Sequence, residues 1–185
     1  MRLDMKKSFF TLILLSATLF GLHAQQRNVA FTSVPVVNGR VVFERFTHTD
    51  NALSAEQKYA KLVAWGQSRF VGSPMLSSIR FDDNSRTMTV SLRTNLNLPS
   101  SETITMVHRF DVSISNVGSM LVIRDITYQI ANGTSIFPTT YTAEETITDQ
   151  AIAVNDEHRA RRINIRTATL AYLNELSAEI EALFR

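Results

Sequence analysis

Across residues 77–130 hydrophobic and polar side chains alternate with a period of two, broken only by short polar turns. In Ser78-Ile79-Arg80-Phe81 the two apolar residues share one face, and Asp82-Asp83-Asn84-Ser85 follow as turn residues that bond their own backbone. Next, Met88, Val90 and Leu92 oppose Thr87, Thr89, Ser91 and Arg93. Together these runs predict a β-hairpin. Residues 95–101, punctuated by Pro99, read as a loop. A third run places Ile104, Met106, His108, Phe110, Val112 and Ile114 on one side, with Thr103, Thr105, Val107, Arg109, Asp111 and Ser113 on the other. Asn116-Val117-Gly118 turns the chain into a fourth run over 120–130. There Leu121 and Ile123 have one parity and Ile126 and Tyr128 the other, so a bulge is expected at Arg124-Asp125. Four such strands need an apolar layer over one face.

Two helices are placed to supply it. Ser54 with Gln57 forms a capping box, and Tyr59, Leu62, Val63, Gly66 and Phe70 then recur at helical spacing, with Trp65 beside the stripe. Gly72-Ser73-Pro74 ends this helix. A longer helix is expected over 157–183, its apolar face made of Ile163, Leu170, Leu173, Leu176, Ile180 and Leu183 or Phe184. Upstream, Asn38-Gly39 between valines signals a hairpin leading into a strand over 41–46, and Pro35 confines anything before it to an edge. Residues 131–156, rich in Thr, Ala and acidic side chains, read as a long loop with a helical turn over 143–150. The whole predicts an α+β domain over 36–185. A curved antiparallel sheet of about five strands, in the order β-α-β-β-β-β-α, packs on the C-terminal helix. The expected core is Phe43, Leu62, Ile79, Phe81, Val90, Leu92, Met106, Phe110, Ile123, Leu170, Leu173 and Ile180.

The first 24 residues have a different character. Lys6-Lys7, an apolar run over 9–22 and Ala24 match a secretory signal with cleavage after Ala24, and residues 25–35 read as a flexible lead-in. The apolar run is short for a full span, which favours secretion over an uncleaved membrane anchor, and no transmembrane segment is expected after cleavage. The chain has no Cys, which excludes disulfides and a thioether-linked lipid. Export to the periplasm or cell surface, not as a lipoprotein, is the expectation.

Charge changes with that cleavage. The full chain has 19 basic and 17 acidic residues. The signal holds Arg2, Lys6 and Lys7 against Asp4, which leaves 16 of each in the mature chain. A neutral chain has no electrostatic footprint for nucleic acid.

Candidate chemistry is sparse. His108 stands in an apolar row, where it is either a base or metal ligand or a hydrogen-bonded structural histidine; no second His or Cys lies at ligand spacing. Asp82-Asp83 read as a turn rather than paired acids. Arg159, Arg161, Arg162 and Arg166 cluster at the start of the last helix, opposing its dipole, as a contact for an anionic partner or a solvated face balanced by Asp149, Asp156 and Glu157. Phe137 and Tyr141 are further contact candidates in the 131–156 stretch. Asn132-Gly133-Thr134 matches a glycosylation sequon, a pattern that arises often by chance. There is no phosphate loop, dinucleotide fingerprint, nucleophile elbow or zinc motif, so neither an enzyme nor a cofactor is expected.

The chain resembles a family of exported bacteroidete proteins, a domain of unknown function with a TATA-binding-protein-like (TBP-like) fold. The resemblance rests on the signal ending at Ala24-Gln25, on Asn38-Gly39-Arg40-Val41-Val42-Phe43, on the helix with Trp65, and on the hairpin from Ile79 to Leu92. The strand pair around Asn116-Val117-Gly118, where the family often has Asp-Gly-like turns, and the long terminal helix complete it. The family carries no established activity, so no functional residue transfers, and the fold name is not a function. Thr87, Thr89, Ser91, Thr103 and Thr105 on the outer face lack the basic, aromatic surface that binds DNA. Two functions follow as expectations. One is a non-catalytic envelope module that binds a protein or a glycan near residues 131–156 and the arginines. The other is a carrier of a small apolar ligand between sheet and helix, lined by Met106 and His108.

Overall fold

The computed structural model describes residues 30–49, 52–131 and 137–185. The expected signal over 1–24, residues 25–29 of the lead-in and the sequon at Asn132 lie outside the described residues. Residues Phe31–Arg185 form one compact unit.

Asn38 and Gly39 both adopt left-handed backbone (φ 51° and 76°), and a two-residue hairpin joins β1 (Val36–Val37) to β2 (Arg40–Val41) as the Asn-Gly signal requires. After a break at Val42, β3 (Phe43–His48) enters the main sheet. Helix α1 (Ala55–Phe70) follows, its capping box closed by Ser54 and Gln57. The strands β4 (Leu76–Asp82), β5 (Thr87–Asn97), β6 (Thr103–Ile114) and β7 (Gly118–Ile130) form a meander. The segment expected to be a loop contains β8 (Thr139–Thr142), α2 (Ala143–Thr146) and α3 (Asp149–Ala153). Capping by Thr142 and Thr148 starts each of the two short helices, so the Thr-rich composition supplies N-caps instead of irregular chain. Helix α4 (Arg159–Ala182) closes the fold.

Among the described residues the antiparallel sheet has six strands, in the order β3-β7-β6-β5-β4, and β8 also pairs with β7. Strands β3 and β8 therefore share one edge of β7 end to end, β3 along residues 118–123 and β8 along 127–130. The expected bulge lies where these two blocks meet. Between Arg124 and Thr127 the β6–β7 register shifts by one residue, with Asp125 in left-handed backbone at φ 55°. Buried positions change parity there, from Leu121 and Ile123 to Ile126, Tyr128 and Ile130.

Both helices cover the same face. Phe70 of α1 meets Phe110 of β6, and Gly66 lets α1 approach Met88 of β5 so closely that a β-carbon would fall 2.5 Å from its sulfur. Helix α4 reaches the face through Tyr128–Thr169 and Arg45–Ser177 hydrogen bonds. Most expected core residues are buried; Ile79, Phe81 and Leu170 are only partly so. The first two lie on edge strand β4. On α4 the buried stripe runs through Ile165, Thr169, Leu173, Leu176, Ser177 and Ile180, while Ile163 is 36% exposed. The helix is turned from its apolar pattern because Thr169 pairs with the buried Tyr128 hydroxyl at 3.0 Å.

Two buried features were not legible in hydrophobic spacing. Lys58 is fully buried on α1, its ammonium donating to the Asn116 carbonyl at 2.8 Å, which ties the helix to the β6–β7 turn. The end of the lead-in, expected to be flexible over 25–35, is fixed: Val34 is buried, and Phe31 contacts Phe43 and exchanges hydrogen bonds with Asn174. Partial burial of Phe31 against the core and its two hydrogen bonds with Asn174 hold this short segment.

Candidate functional site

The face opposite the helices is open. Pairing registers place its side chains in rows. The first row runs Asp82, Thr87, Ser113, Met120, Phe46. Next come Arg80, Thr89, Asp111, Val122 and Glu44, then Ser78, Ser91, Arg109 and Arg124. Arg93, Val107, Thr127 and Thr142 form the fourth row, followed by Asn95, Thr105, Gln129 and Thr140. One corner is thus apolar, the middle carries four arginines, and the far end is polar.

Asp111 organises the middle. It accepts from the Thr89 hydroxyl at 2.6 Å, from Arg124 through both Nε and a terminal nitrogen at 3.2 and 2.9 Å, and from Arg109 at 3.4 Å. Partial burial pushes its carboxyl up, but the Thr89 and Arg124 hydrogen bonds and the two guanidinium charges outweigh this and hold it below the usual range. Thr105 donates to Asn95 and Thr103 to Asn97, so cross-strand pairs also fix the polar end.

His108, the sequence candidate for chemistry, is on the helix face and 1% exposed. Burial lowers its pKa to about 4, which makes the imidazole neutral near pH 7. Its Nε2 lies 3.3 Å from the Tyr172 hydroxyl, and its Nδ1 has no partner among the described residues. Tyr172 also lines a cleft of about 240 Å³ between α1, β5 and α4, whose walls include Phe70, Leu92 and Leu176 and whose rim carries the Arg69–Glu179 pair. His108 is thus packed behind Tyr172, and Met106 is fully buried.

The four arginines of α4 each have an internal acceptor. Arg159 donates to the Ile152 carbonyl, and Arg161 pairs with Glu102 of the β5–β6 loop. Arg162 grips Asp156 and the Val154 carbonyl, and Arg166 meets Asp149 at 2.5 Å. The Arg162 hydrogen bond leads the causes that lower the Asp156 pKa. Acceptors gathered beside the helix N-terminus answer the unfavourable dipole, and they latch residues 149–158 onto α4. The structure does not bring His108 together with this cluster on one surface. Phe137 is 77% exposed, and Tyr141 pairs with Tyr128 across β8 and β7.

Sequence reasoning missed Asp111 and Arg124 as neighbours, and Phe46 as the partner of Met120. Their signal was present in the alternation of each strand, but their proximity depends on which strands pair. Among the described residues no group of three or more His, Asp or Glu side chains is arranged to hold a metal ion. Nor is any helix among them long and apolar enough to cross a membrane.

No protein-family model matches the chain, and no curated protein matches it. Solved structures do. A TBP-like protein from Parabacteroides distasonis has a TM-score of 0.73 at 19% identity, covering 81% of this chain and 96% of that one. A DUF4468 family protein from Bacteroides ovatus has a TM-score of 0.66 at 18% identity, covering 84% and 92%. The fold is therefore the TBP-like α+β fold found in these bacteroidete proteins. At such identities the likeness speaks for fold alone.

Proposed function

We propose that this chain is a non-catalytic exported module that binds another protein through the open face of its sheet. The observation that carries this reading is the composition of that face. Phe46 is 46% exposed beside Met120, with Val122 in the following row, the same face carries Arg80, Arg93, Arg109 and Arg124 across its other strands, and no Lys appears in the rows. Aromatic residues, Met and Arg are enriched at protein interfaces, whereas Lys is depleted. Asp111 pre-orders two of the arginines, which lowers the entropy lost on docking. The arginines of α4, already engaged internally, are secondary to this face. The formally neutral mature chain argues against nucleic acid as the partner.

The test is capture from an envelope extract of the host, compared across variants. Phe46→Ala with Arg93→Ala abolishes capture, while Lys61→Ala with Gln67→Ala on the outer side of α1 retains it. Capture that is equal in both variants overturns the reading. Fractionation of the host tests export, with the mature chain expected outside the cytoplasm.

The α1–β5–α4 cleft favours small-ligand carriage as a second reading. Its charged rim suits a ligand with a polar end better than a wholly apolar one. Native mass spectrometry of the protein from its host distinguishes the two: a small mass lost on denaturation supports carriage.

A further inference from the structure

Three strands lie at edges of the main sheet, and they differ. Strand β4 has a register irregularity between Leu76 and Ser78, a feature that blunts an edge against pairing. Strand β8 has only four residues. Strand β3 is regular, its six residues pairing with β7 without interruption, and among the described residues no further strand pairs with its other side.

The polarity of its backbone follows from one bond. The Thr49 amide donates to the Val117 carbonyl, toward the β7 side. Backbone groups alternate along an antiparallel strand, so Phe43, Arg45 and Thr47 direct theirs to β7, and Glu44, Phe46 and His48 direct theirs outward. The side chains of these last three stand exposed on the open face, with the Phe46 and His48 rings edge-on at 4.8 Å. Neither the Glu44 carboxylate nor the His48 imidazole has a hydrogen-bond partner among the described residues.

We propose that a second copy of this chain pairs with it through β3, antiparallel about a twofold axis at Phe46. Only that centre uses all three outward residues. It sets Phe46 against its counterpart, and Glu44 and His48 against the His48 and Glu44 of the second copy. A centre at Glu44 opposes two carboxylates; a centre at His48 brings the two imidazoles together and leaves Glu44 without a facing residue of β3. Each of the three facing pairs exchanges two backbone hydrogen bonds, and the Glu44–His48 contacts occur twice by symmetry. Each Phe46 thereby gains its counterpart as a cross-strand neighbour, and the two open faces become continuous.

The inference is independent of any partner on the open face, because it is read from mass alone. Analytical ultracentrifugation of the purified chain gives twice the monomer mass at micromolar concentration. Glu44→Arg and His48→Glu each weaken the dimer about tenfold or more, by removing an acceptor or opposing two carboxylates. The double variant, which places Arg and Glu opposite each other across the axis, recovers the dimer. Circular dichroism matching that of the original chain confirms that each variant folds. A monomer at all concentrations, or a dimer unaffected by the single changes, overturns the proposal; a double variant that stays monomeric overturns the Phe46-centred register.

Discussion

Gly118 lies so close to Thr47 across the β3–β7 pair that a β-carbon on it would fall 2.2 Å from the Thr47 carbonyl oxygen. The Phe46 ring covers the same spot, with its Cζ 2.8 Å from that position. The first residue of β7 therefore has to be glycine for β3 to seat.

Gly118→Ala accordingly destabilises the fold by about 2–3 kcal/mol, because the obstacle is backbone that cannot rotate away. Urea denaturation measures the loss, and a change below about 0.5 kcal/mol would show that β3 can shift at no cost.

His108 makes stability depend on pH. Its folded pKa of about 4 lies below the ordinary 6.5, so the unfolded chain takes up the proton first as pH falls. The stabilising contribution is complete above pH 6.5 and is lost between 6.5 and 4, by up to roughly 3 kcal/mol. His108→Phe flattens this part of the curve. An unchanged slope in that variant would assign the dependence to other groups.

Asp111 acts in a lower window. Its folded pKa is depressed below the ordinary 3.8, so its contribution is present above about pH 4 and is lost as pH falls through the folded value. Asp111→Asn costs about 1–2 kcal/mol at pH 7, since charge-assisted hydrogen bonds to half-exposed arginines are replaced by weaker ones. Thermal unfolding at pH 7 and pH 3 checks both values, the difference between the two proteins shrinking at the lower pH.

The latch on α4 is local. Arg162→Ala with Arg166→Ala changes global stability by about 1 kcal/mol or less, as for other ion pairs with an exposed partner. Amide exchange speeds up over residues 149–158 and is unchanged in β5 and β6. Uniform acceleration would instead make the latch part of the global fold.

Little of the candidate site was legible in the sequence. The outward parity of Arg109, Asp111 and Arg124 was readable, but their meeting depends on the β6–β7 register after the bulge. The α4 arginines stood out as a charge cluster, yet Arg161 finds its acceptor 59 positions away at Glu102, beyond any local spacing rule. His108 was visible as a polar residue in an apolar row. What packs it, Tyr172, lies 64 positions on.

The sequence by itself determined the features that arise within a few residues or from a two-fold alternation. These are the Asn38-Gly39 turn, the Ser54–Gln57 cap, the inward parity of β5 and β6, and the bulge at Arg124-Asp125. Steric limits on φ and ψ and the side-chain period of a strand act locally, so they can be read in order. Tertiary structure decided that β3 crosses to the far edge beside β7, that α4 turns Thr169 inward, and that Lys58 is buried under a turn. Each of those depends on a partner remote in the chain, where a polar group is buried because a specific acceptor awaits it rather than because its own neighbours are apolar.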